Sequence, residues 1–425
     1  MKAAFYECDV TPPLGDIMFG NAKPTYATDV VAPLYAKALV VEDAGEAAAI
    51  MVVDICQIPT DMHDIVTKRI YEYTGRPAEK VCITSNHTHE GAPAGNDPVG
   101  GGHVDPAYED VFYRRCADAV ILAYKRLDDV EIKYGTSYAP GIAFCRDFLL
   151  KDGRMFTHGR RKYDLIERPI SDPDESLPIV MFERNGESIG AIINFACHQD
   201  TASKVGYSGD YSSVLSDILK EKYGHNFVSF FLLGPCGDVG HVDPNPEHPI
   251  QHAPEIARKL SEYFENSVAD LKPVTEGGVK SVKEYVDVNR RYFDDQSLLA
   301  EVTRIATDPN LGNVNRIKRM MTYVNSNPPA STPLPVQCIK IGDVLIVCLP
   351  GEIYSAFGKR IKEASPYDKV ILVEQSNYGC GYIPVKEAFV PNCYFYETSL
   401  APASCFAPDA GDVLTKKAIE IIKKI

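Results

Sequence analysis

The sequence predicts an α/β fold, with mixed β-sheets built from hairpins and strand–helix units and helices packed outside. Three observations carry that reading. The segments "YAKALVVEDAGEAAAIMVVDI", "LPIVMFERNGESIGAIINFACH" and "VQCIKIGDVLIVCLPGE" each join two β-rich runs through a short polar turn. The turns fall at Asp43-Ala44-Gly45, Asn185-Gly186 and Gly342-Asp343, residues that favour tight hairpins. Three further apolar runs, "KVCITS", "FVSFFLLG" and "KVILVEQ", read as single buried strands. Between the strands, apolar spacing predicts helices over roughly 61–74, 107–126, 209–223, 253–268, 296–307, 352–364 and 411–424. Hairpins mixed with strand–helix units bury their apolar faces by placing helices against the sheets.

The composition fits this class. With 425 residues, 45% apolar and 24% charged, the chain can build a sizeable core and has the make-up of a soluble globular protein. No repeat, low-complexity tract or linker divides it, so residues 1–425 are expected to form one domain. The net charge of −14 excludes nucleic acid as a partner, because such a surface needs a basic footprint. The longest apolar runs are too short for membrane insertion. "MKAAFYECDVTPPLG" has no apolar signal-peptide core. The twelve cysteines are scattered, mostly within apolar strands, as reduced core residues are. A cytoplasmic location is the expectation.

The strands end on polar residues. The hairpins run out at Asp54, His198 and Glu352, and the single strands lead into His87, the "GPCGD" turn and "SNYGCGY" with Tyr382. Ligand sites in α/β sheets favour the carboxyl ends of strands. In "TSNHTHEGAP", His87 and His89 are two apart, the spacing that puts strand side chains on one face. His87, His198 and Glu352 together offer two imidazoles and a carboxylate, the donor set of a catalytic zinc with a position open for water. Each also has an ordinary reading, since buried polar groups are usually just hydrogen-bonded and Glu352 suits a helix N-terminus.

In order along the chain, "DVTPPLG", "ITSNHTHEGAP", "NFACH", "SGDYSS", "GPCGDV", "LPGE" and "SNYGCGYIPVKEAFVPNCYFYE" resemble the neutral (non-lysosomal) ceramidases, specifically their zinc-dependent catalytic domain. The resemblance spans essentially the whole chain. It implies one Zn2+ per chain held by His87, His198, Glu352 and Tyr382, with His89 as an active-site histidine that is not a ligand. It further implies Arg146 as a substrate-contacting arginine. Tyr394, twelve residues past Tyr382, falls at the spacing of the family's second active-site tyrosine, or is an aromatic packed within "YFYE". The chemistry implied is hydrolysis of an amide by metal-activated water, with His89 moving the proton. Asp54 and Asp210 are expected either to orient histidines or to cap turns.

The chain departs from the family in three ways. Gly240, in "GDVGHVDPN", stands where ceramidases carry a serine, and His241 follows it. The sequence stops after its last helix, without a C-terminal β-domain, and shows no secretion signal. The expected substrate is therefore a small soluble amide, with ceramide or another N-acyl lipid as the alternative. The stretch "RDFLLKDGRMFTHGRRK", with Arg146, Lys151, Arg154, Arg160, Arg161 and Lys162, points to an anionic substrate or to a solvated loop. Two rivals remain at this stage: a cysteine hydrolase using Cys236 with His241 nearby, and a zinc- or ligand-binding protein without catalysis.

Overall fold

The hairpins form with the turns their residues allow. The computed structural model describes residues 1–425 except 22, 96–103, 203–204, 276, 309 and 312–313. Ala44 and Gly45 have φ of 49° and 86°, and Asn185 and Gly186 have 52° and 81°. Such paired positive values define the type I′ turn, whose twist matches the strands it joins. At the third hairpin Gly342 is positive, at 60°, and Asp343 is not, the pattern of a type II′ turn.

Twelve strands assemble into three sheets of one plan. The first contains β1 (Lys2–Asp9), β2 (Tyr35–Asp43), β3 (Glu46–Val53) and β4 (Val81–Ser85). The second contains β5 (Glu131–Tyr138), β6 (Ser176–Arg184), β7 (Glu187–Phe195) and β8 (Val228–Leu233). The third contains β9 (Val279–Asn289), β10 (Ser331–Ile341), β11 (Val344–Cys348) and β12 (Lys369–Val373). In each, three strands run antiparallel in sequence order and the fourth pairs parallel to the third.

A helix crosses from the third strand to the fourth, because parallel neighbours need a long connection: α1 (Met62–Thr74), α3 (Asp210–Tyr223) and α7 (Ser355–Ala364). A second helix follows the fourth strand: α2 (Pro106–Tyr124), α4 (Ala253–Val268) and α8 (Ala410–Ile422). Asp105 caps α2 by accepting from the Ala107 N–H, and Pro106 takes the first turn, where its missing N–H costs nothing. The third unit also carries α5 (Asp295–Thr307) and α6 (Val314–Asn325) between β9 and β10. A β-β-β-α-β-α unit thus occurs three times among the described residues. The repeat lies in strand pairing and hydrophobic pattern, not in shared residues or equal spacings.

The strands are apolar on both faces because both are buried. One face of every sheet turns inward to a shared core: Leu39, Val41, Ile50 and Val52 from the first, Val180, Phe182, Ile192 and Phe230 from the second, Ile339, Ile346, Ile371 and Val373 from the third. The alternate residues face the helices. Val40 and Met51 pack with α1 and α2, Ile193 and Phe231 with α3 and α4, and Val347 and Leu372 with α7 and α8. Each fully buried side chain of this size contributes roughly 1.5–3 kcal/mol. The result is a mixed α/β fold in which three sheets enclose one core and helices coat the outside. Among the described residues no helix is long and apolar enough to cross a membrane.

Polar side chains lock the sheets together at the carboxyl ends of the third and fourth strands. Asn194 donates to the carbonyls of Leu232 and Leu372 at 2.8 and 2.9 Å, joining the second sheet to the third. Thr84 donates to the Glu374 carbonyl at 2.9 Å, and the Ile83 N–H donates to Asn377 Oδ1 at 3.0 Å, joining the first to the third. These bonds fix the segments that carry the site.

Candidate metal centre and active-site cavity

Each unit delivers one residue to a common point. His87 leaves β4 with φ of 64°, a left-handed turn that aims its ring back over the strand ends. His198 follows β7, and Glu352 follows β11 after the Leu349-Pro350-Gly351 turn. His87 Nε2 lies 3.2 Å from His198 Nε2, and Glu352 Oε2 lies 3.3 Å from each. All three are buried, at 2%, 1% and 5% exposure.

The protons on this cluster are assigned by its surroundings. His87 Nδ1 donates to the Cys56 carbonyl at 2.5 Å, and His198 Nδ1 donates to the Cys236 carbonyl at 2.9 Å. Carbonyls only accept, so the protons of neutral rings sit on Nδ1 and both Nε2 atoms present lone pairs. Glu352 Oε2 has no hydrogen-bond donor. Three lone pairs therefore converge in a buried space, which is costly unless positive charge stands between them. The pKa directions show the same demand for positive charge, which a second proton on His87 meets in the metal-free cluster and a bound cation would replace. Burial works against a proton on His87, yet Cys56 and Glu352 carry it well above the usual histidine range. Burial and Arg146 take His198 down to about 4. Burial opposes charge on Glu352, but His87 and His198 hold it well below the usual carboxylate range. Two imidazoles and a carboxylate at this spacing fit a cation such as zinc. Cys56, His87 and His89 form a second convergent group, but His87 Nδ1 is spent on the Cys56 carbonyl.

Tyr382 stands beside the cluster. Residues Glu352–Ile353 pair in parallel with Tyr382–Ile383, with Glu352 opposite Tyr382. The Tyr382 and Tyr396 hydroxyls are 3.4 Å apart, their rings edge to face. The guanidinium of Arg146 lies 5.5 and 5.3 Å from the two ring centres. Its other bonds go to the Gly237 carbonyl at 2.7 Å and Glu397 at 3.0 Å. Burial pushes Tyr382 and Tyr396 up, while Arg146 favours the phenolate of each.

His87, Glu352, Tyr382 and Tyr396 line a cavity of about 380 Å³, together with Phe19, Gln57, His89, His158, Asp200 and Arg319. The loops between the first and second strands of all three units reach it: Phe19 from 10–34, His158 from 139–175, and Arg319 from 290–330. His89 Nε2 is buried with no hydrogen-bond partner. Burial and the neighbouring His87 hold the ring neutral, at about 3, against the pull of Asp200.

Other sequence expectations are placed differently. Tyr394 does not line the cavity; its hydroxyl donates to Asp308 at 3.0 Å and its ring stacks on Phe156. Tyr396, two residues on, takes the cavity position. Arg146 sits behind the tyrosines and lines a smaller neighbouring cavity with His158, Asp200 and His241. Asp54 accepts from Asn86 at 2.7 Å and the Tyr35 N–H at 2.7 Å, and Asp210 accepts from Thr201. Neither orients a histidine; backbone carbonyls do. In the basic stretch, Arg160 binds the carbonyls of Asp243, Asn245, Pro246 and His248, Arg154 pairs with Asp152, and Lys162 covers the Phe156 ring. Those charges hold loops rather than face the cavity. Burial and Glu374 push the Cys236 thiol well up, the wrong direction for a nucleophile.

Sequence reasoning missed His158, Asp200 and Tyr396, and named His241 only as a neighbour of Cys236 and not as a partner of Asp200. His158 stacks on Tyr396 with ring centres 5.9 Å apart, and Asp200 pairs with His241 at 3.2 Å. Only the closeness of Asp200 to His198 signalled any of them.

No protein-family model matches the chain, and no curated protein matches it. Among solved structures it is similar to neutral ceramidase from Pseudomonas aeruginosa, with TM-score 0.75, 16% identity, and coverage of 100% of this chain and 75% of that one. It is also similar to a ceramidase complexed with C2, with TM-score 0.73, 17% identity, and coverage of 99% and 74%. Overlap this complete at such low identity is a statement about architecture: the chain has the neutral-ceramidase fold.

Proposed function

We propose that this protein is a zinc-dependent hydrolase of amide bonds, with His87, His198, Glu352 and Tyr382 as ligands. The observation that carries the reading is the meeting of His87 Nε2, His198 Nε2 and Glu352 Oε2 within 3.2–3.3 Å, with both Nδ1 protons committed elsewhere. The fold shared with ceramidases, enzymes named for cleaving the amide ceramide, supports it. Zinc held there lowers the pKa of water towards ~7 and polarises a carbonyl oxygen.

The chain's own residues supply the rest. His89 offers an unpartnered Nε2 to the cavity, where it accepts the proton of the attacking water and returns it to the leaving nitrogen. Tyr396 places a hydroxyl beside Tyr382, and the Arg146 charge behind both rings stabilises an oxyanion developing in front of them. Asn21 donates to the His89 carbonyl at 3.0 Å and steadies that turn.

The cavity, at about 380 Å³, lies near the lower end of the roughly 300–1,000 Å³ usual for ligand pockets, which favours a small amide. An N-acyl lipid is the second reading, favoured by the apolar lining of Phe19, Ala401 and Ala403. The test is a screen of metal-loaded protein against short N-acyl amino acids, simple amides, lactams, esters and short-chain ceramide. Chelator-sensitive release of amine is expected. Esters alone being cleaved, or amide cleavage persisting after the metal is stripped, would refute the reading.

A further inference from the structure

The cavity carries polar groups that the proposed hydrolysis does not use. His158 is set there by its backbone: φ of 60° and ψ of 63° are left-handed, and its N–H donates to the Arg146 carbonyl at 2.7 Å. That conformation costs a non-glycine residue about 1–3 kcal/mol, and such strain gathers at functional sites. The His158 ring is exposed and stacks on Tyr396, and among the described residues neither of its nitrogens has a hydrogen-bond partner. Asp200 lines the same cavity with its side chain 31% exposed. Its Oδ1 lies 3.2 Å from His241, and its Oδ2 has no partner among the described residues. Gln57, half-buried in the same lining, has a side-chain amide equally uncommitted.

A smaller cavity of about 60 Å³ adjoins at these residues. His158 and Asp200 line both, and Arg146, Arg160, Gly240 and His241 are among the others around it. A Cβ at Gly240 would meet nothing within 4 Å. The two cavities together hold both kinds of hydrogen bonding: Asp200 accepts only, the arginines donate only, and an imidazole or a primary amide does both. A substrate carboxylate only accepts and would meet Asp200, whereas an ammonium only donates and would meet Arg146 and Arg160. A hydroxyl donates and accepts without charge, so it suits every one of them. The uncommitted atoms of His158, Asp200 and Gln57 offer more bonds than one hydroxyl can use. Phe19, Tyr382 and Tyr396, in the same lining, suit the apolar C–H faces of a saturated ring.

Building on the amide-hydrolase reading, we infer that the substrate is an N-acylated amino sugar whose hydroxyls are bound by His158, Asp200 and Gln57. One ring substituent reaches the small cavity beside Gly240. A single sugar ring with a short acyl group is of the size that a cavity of about 380 Å³ admits. Hydrolysis breaks the bond between acyl carbon and nitrogen. The water's O–H joins the carbon and its other hydrogen goes to nitrogen, so a carboxylic acid and a free amino sugar leave. The three residues set specificity by holding the sugar and take no part in bond making.

The experiment uses zinc-loaded full-length protein and its His158→Phe and Asp200→Ala variants, with zinc content measured for each. The substrates are N-acetylglucosamine, N-acetylgalactosamine and N-acetylmannosamine, with hydroxyl-free N-cyclohexylacetamide and the carboxylate N-acetylglycine as comparators. Wild type is expected to favour one of the sugars over N-cyclohexylacetamide by about a hundred-fold in kcat/KM, because a site built for hydroxyls rejects the analogue lacking them. His158→Phe keeps a ring against Tyr396 but loses its hydrogen bonds. Each variant should lose about ten-fold on that sugar, mostly through KM, while N-cyclohexylacetamide changes by less than about two-fold. Either comparator turning over as fast as the best sugar overturns the assignment, as does an equal loss on sugar and comparator in the variants. If no amide is cleaved, the hydrolase reading fails on its own. Calorimetric titration of the same compounds then decides the hydroxyl site. A sugar binding more tightly than N-cyclohexylacetamide, with the difference lost in His158→Phe, supports it; equal affinities or no binding of any sugar overturns it.

Discussion

Glu374 offers a quantitative test of how the ligand-bearing turns are held. Its carboxylate accepts from the Cys236 N–H at 3.1 Å, the Cys236 thiol at 3.1 Å and the Ile353 N–H at 2.9 Å. One side chain therefore clamps both the turn whose carbonyl orients His198 and the residue after Glu352. It is fully buried, and burial pushes its pKa up from 4.5 to about 8, with His87 the main opposing influence. A carboxyl raised in this way keeps its proton in the folded state at pH values where the unfolded chain has lost it. Below about 4.5 both states are protonated and stability is unaffected. Between 4.5 and about 8 the folded state loses ground by about 1.4 kcal/mol per pH unit, on the order of 5 kcal/mol in all.

Glu374→Gln keeps an oxygen for both N–H groups and removes the titration. Urea unfolding of metal-stripped wild type and Glu374→Gln at pH 5, 6, 7 and 8 should show the variant gaining on wild type by about 1.4 kcal/mol at each step. With zinc bound the added positive charge lowers the Glu374 pKa, so the difference should flatten. Glu374→Ala leaves two buried N–H groups unsatisfied, at about 1–3 kcal/mol each, and should weaken zinc binding about 10- to 100-fold by loosening the turns. A wild-type–Gln difference that does not change with pH would show that Glu374 is not raised, and the clamp would then have to be an ionised carboxylate.

Four more outcomes are expected. Elemental analysis should find one zinc per purified chain, and His198→Ala should retain little of it, since it removes one of the four proposed ligands. His89→Ala should bind zinc normally yet lose about 10²–10⁴-fold in rate on the best amide of the screen, whereas Cys236→Ala should keep most activity. Tyr396→Phe should lower kcat while Tyr394→Phe leaves it near wild type, because only the Tyr396 ring lines the cavity; the reverse order would restore Tyr394 as the site tyrosine. Gly240→Ser should fold within about 0.5 kcal/mol of wild type by urea unfolding, as a Cβ at Gly240 meets nothing within 4 Å.

What the sequence revealed of this fold and site follows from which forces are local. Hairpin turns depend on two adjacent residues, so Asn185-Gly186 and Gly342-Asp343 were readable without any partner. Helix α6 was equally readable from Ile317, Met320, Met321 and Val324 at i, i+3, i+4 and i+7, yet the sequence reading passed over it, and with it Arg319. The threefold plan was not legible, because a sheet constrains its strands to be apolar without constraining which apolar residues they use or how long the loops are. His87, His198 and Glu352 were found because each follows a strand that must end at the same layer. The partners that set their protons, the carbonyls of Cys56 and Cys236, leave no mark on residue type. Tyr394 and Tyr396 differ only by two positions along a segment of irregular backbone, where no strand or helix period decides which ring turns inward. There the packing decides: Phe156 stacks on Tyr394 from outside the cavity, and Arg146 and His158 draw Tyr396 into it. An exchange of those rings would need Phe156 and His158 to exchange partners too. Phe156→Ala should therefore loosen Tyr394 while leaving Tyr396 and the cavity in place.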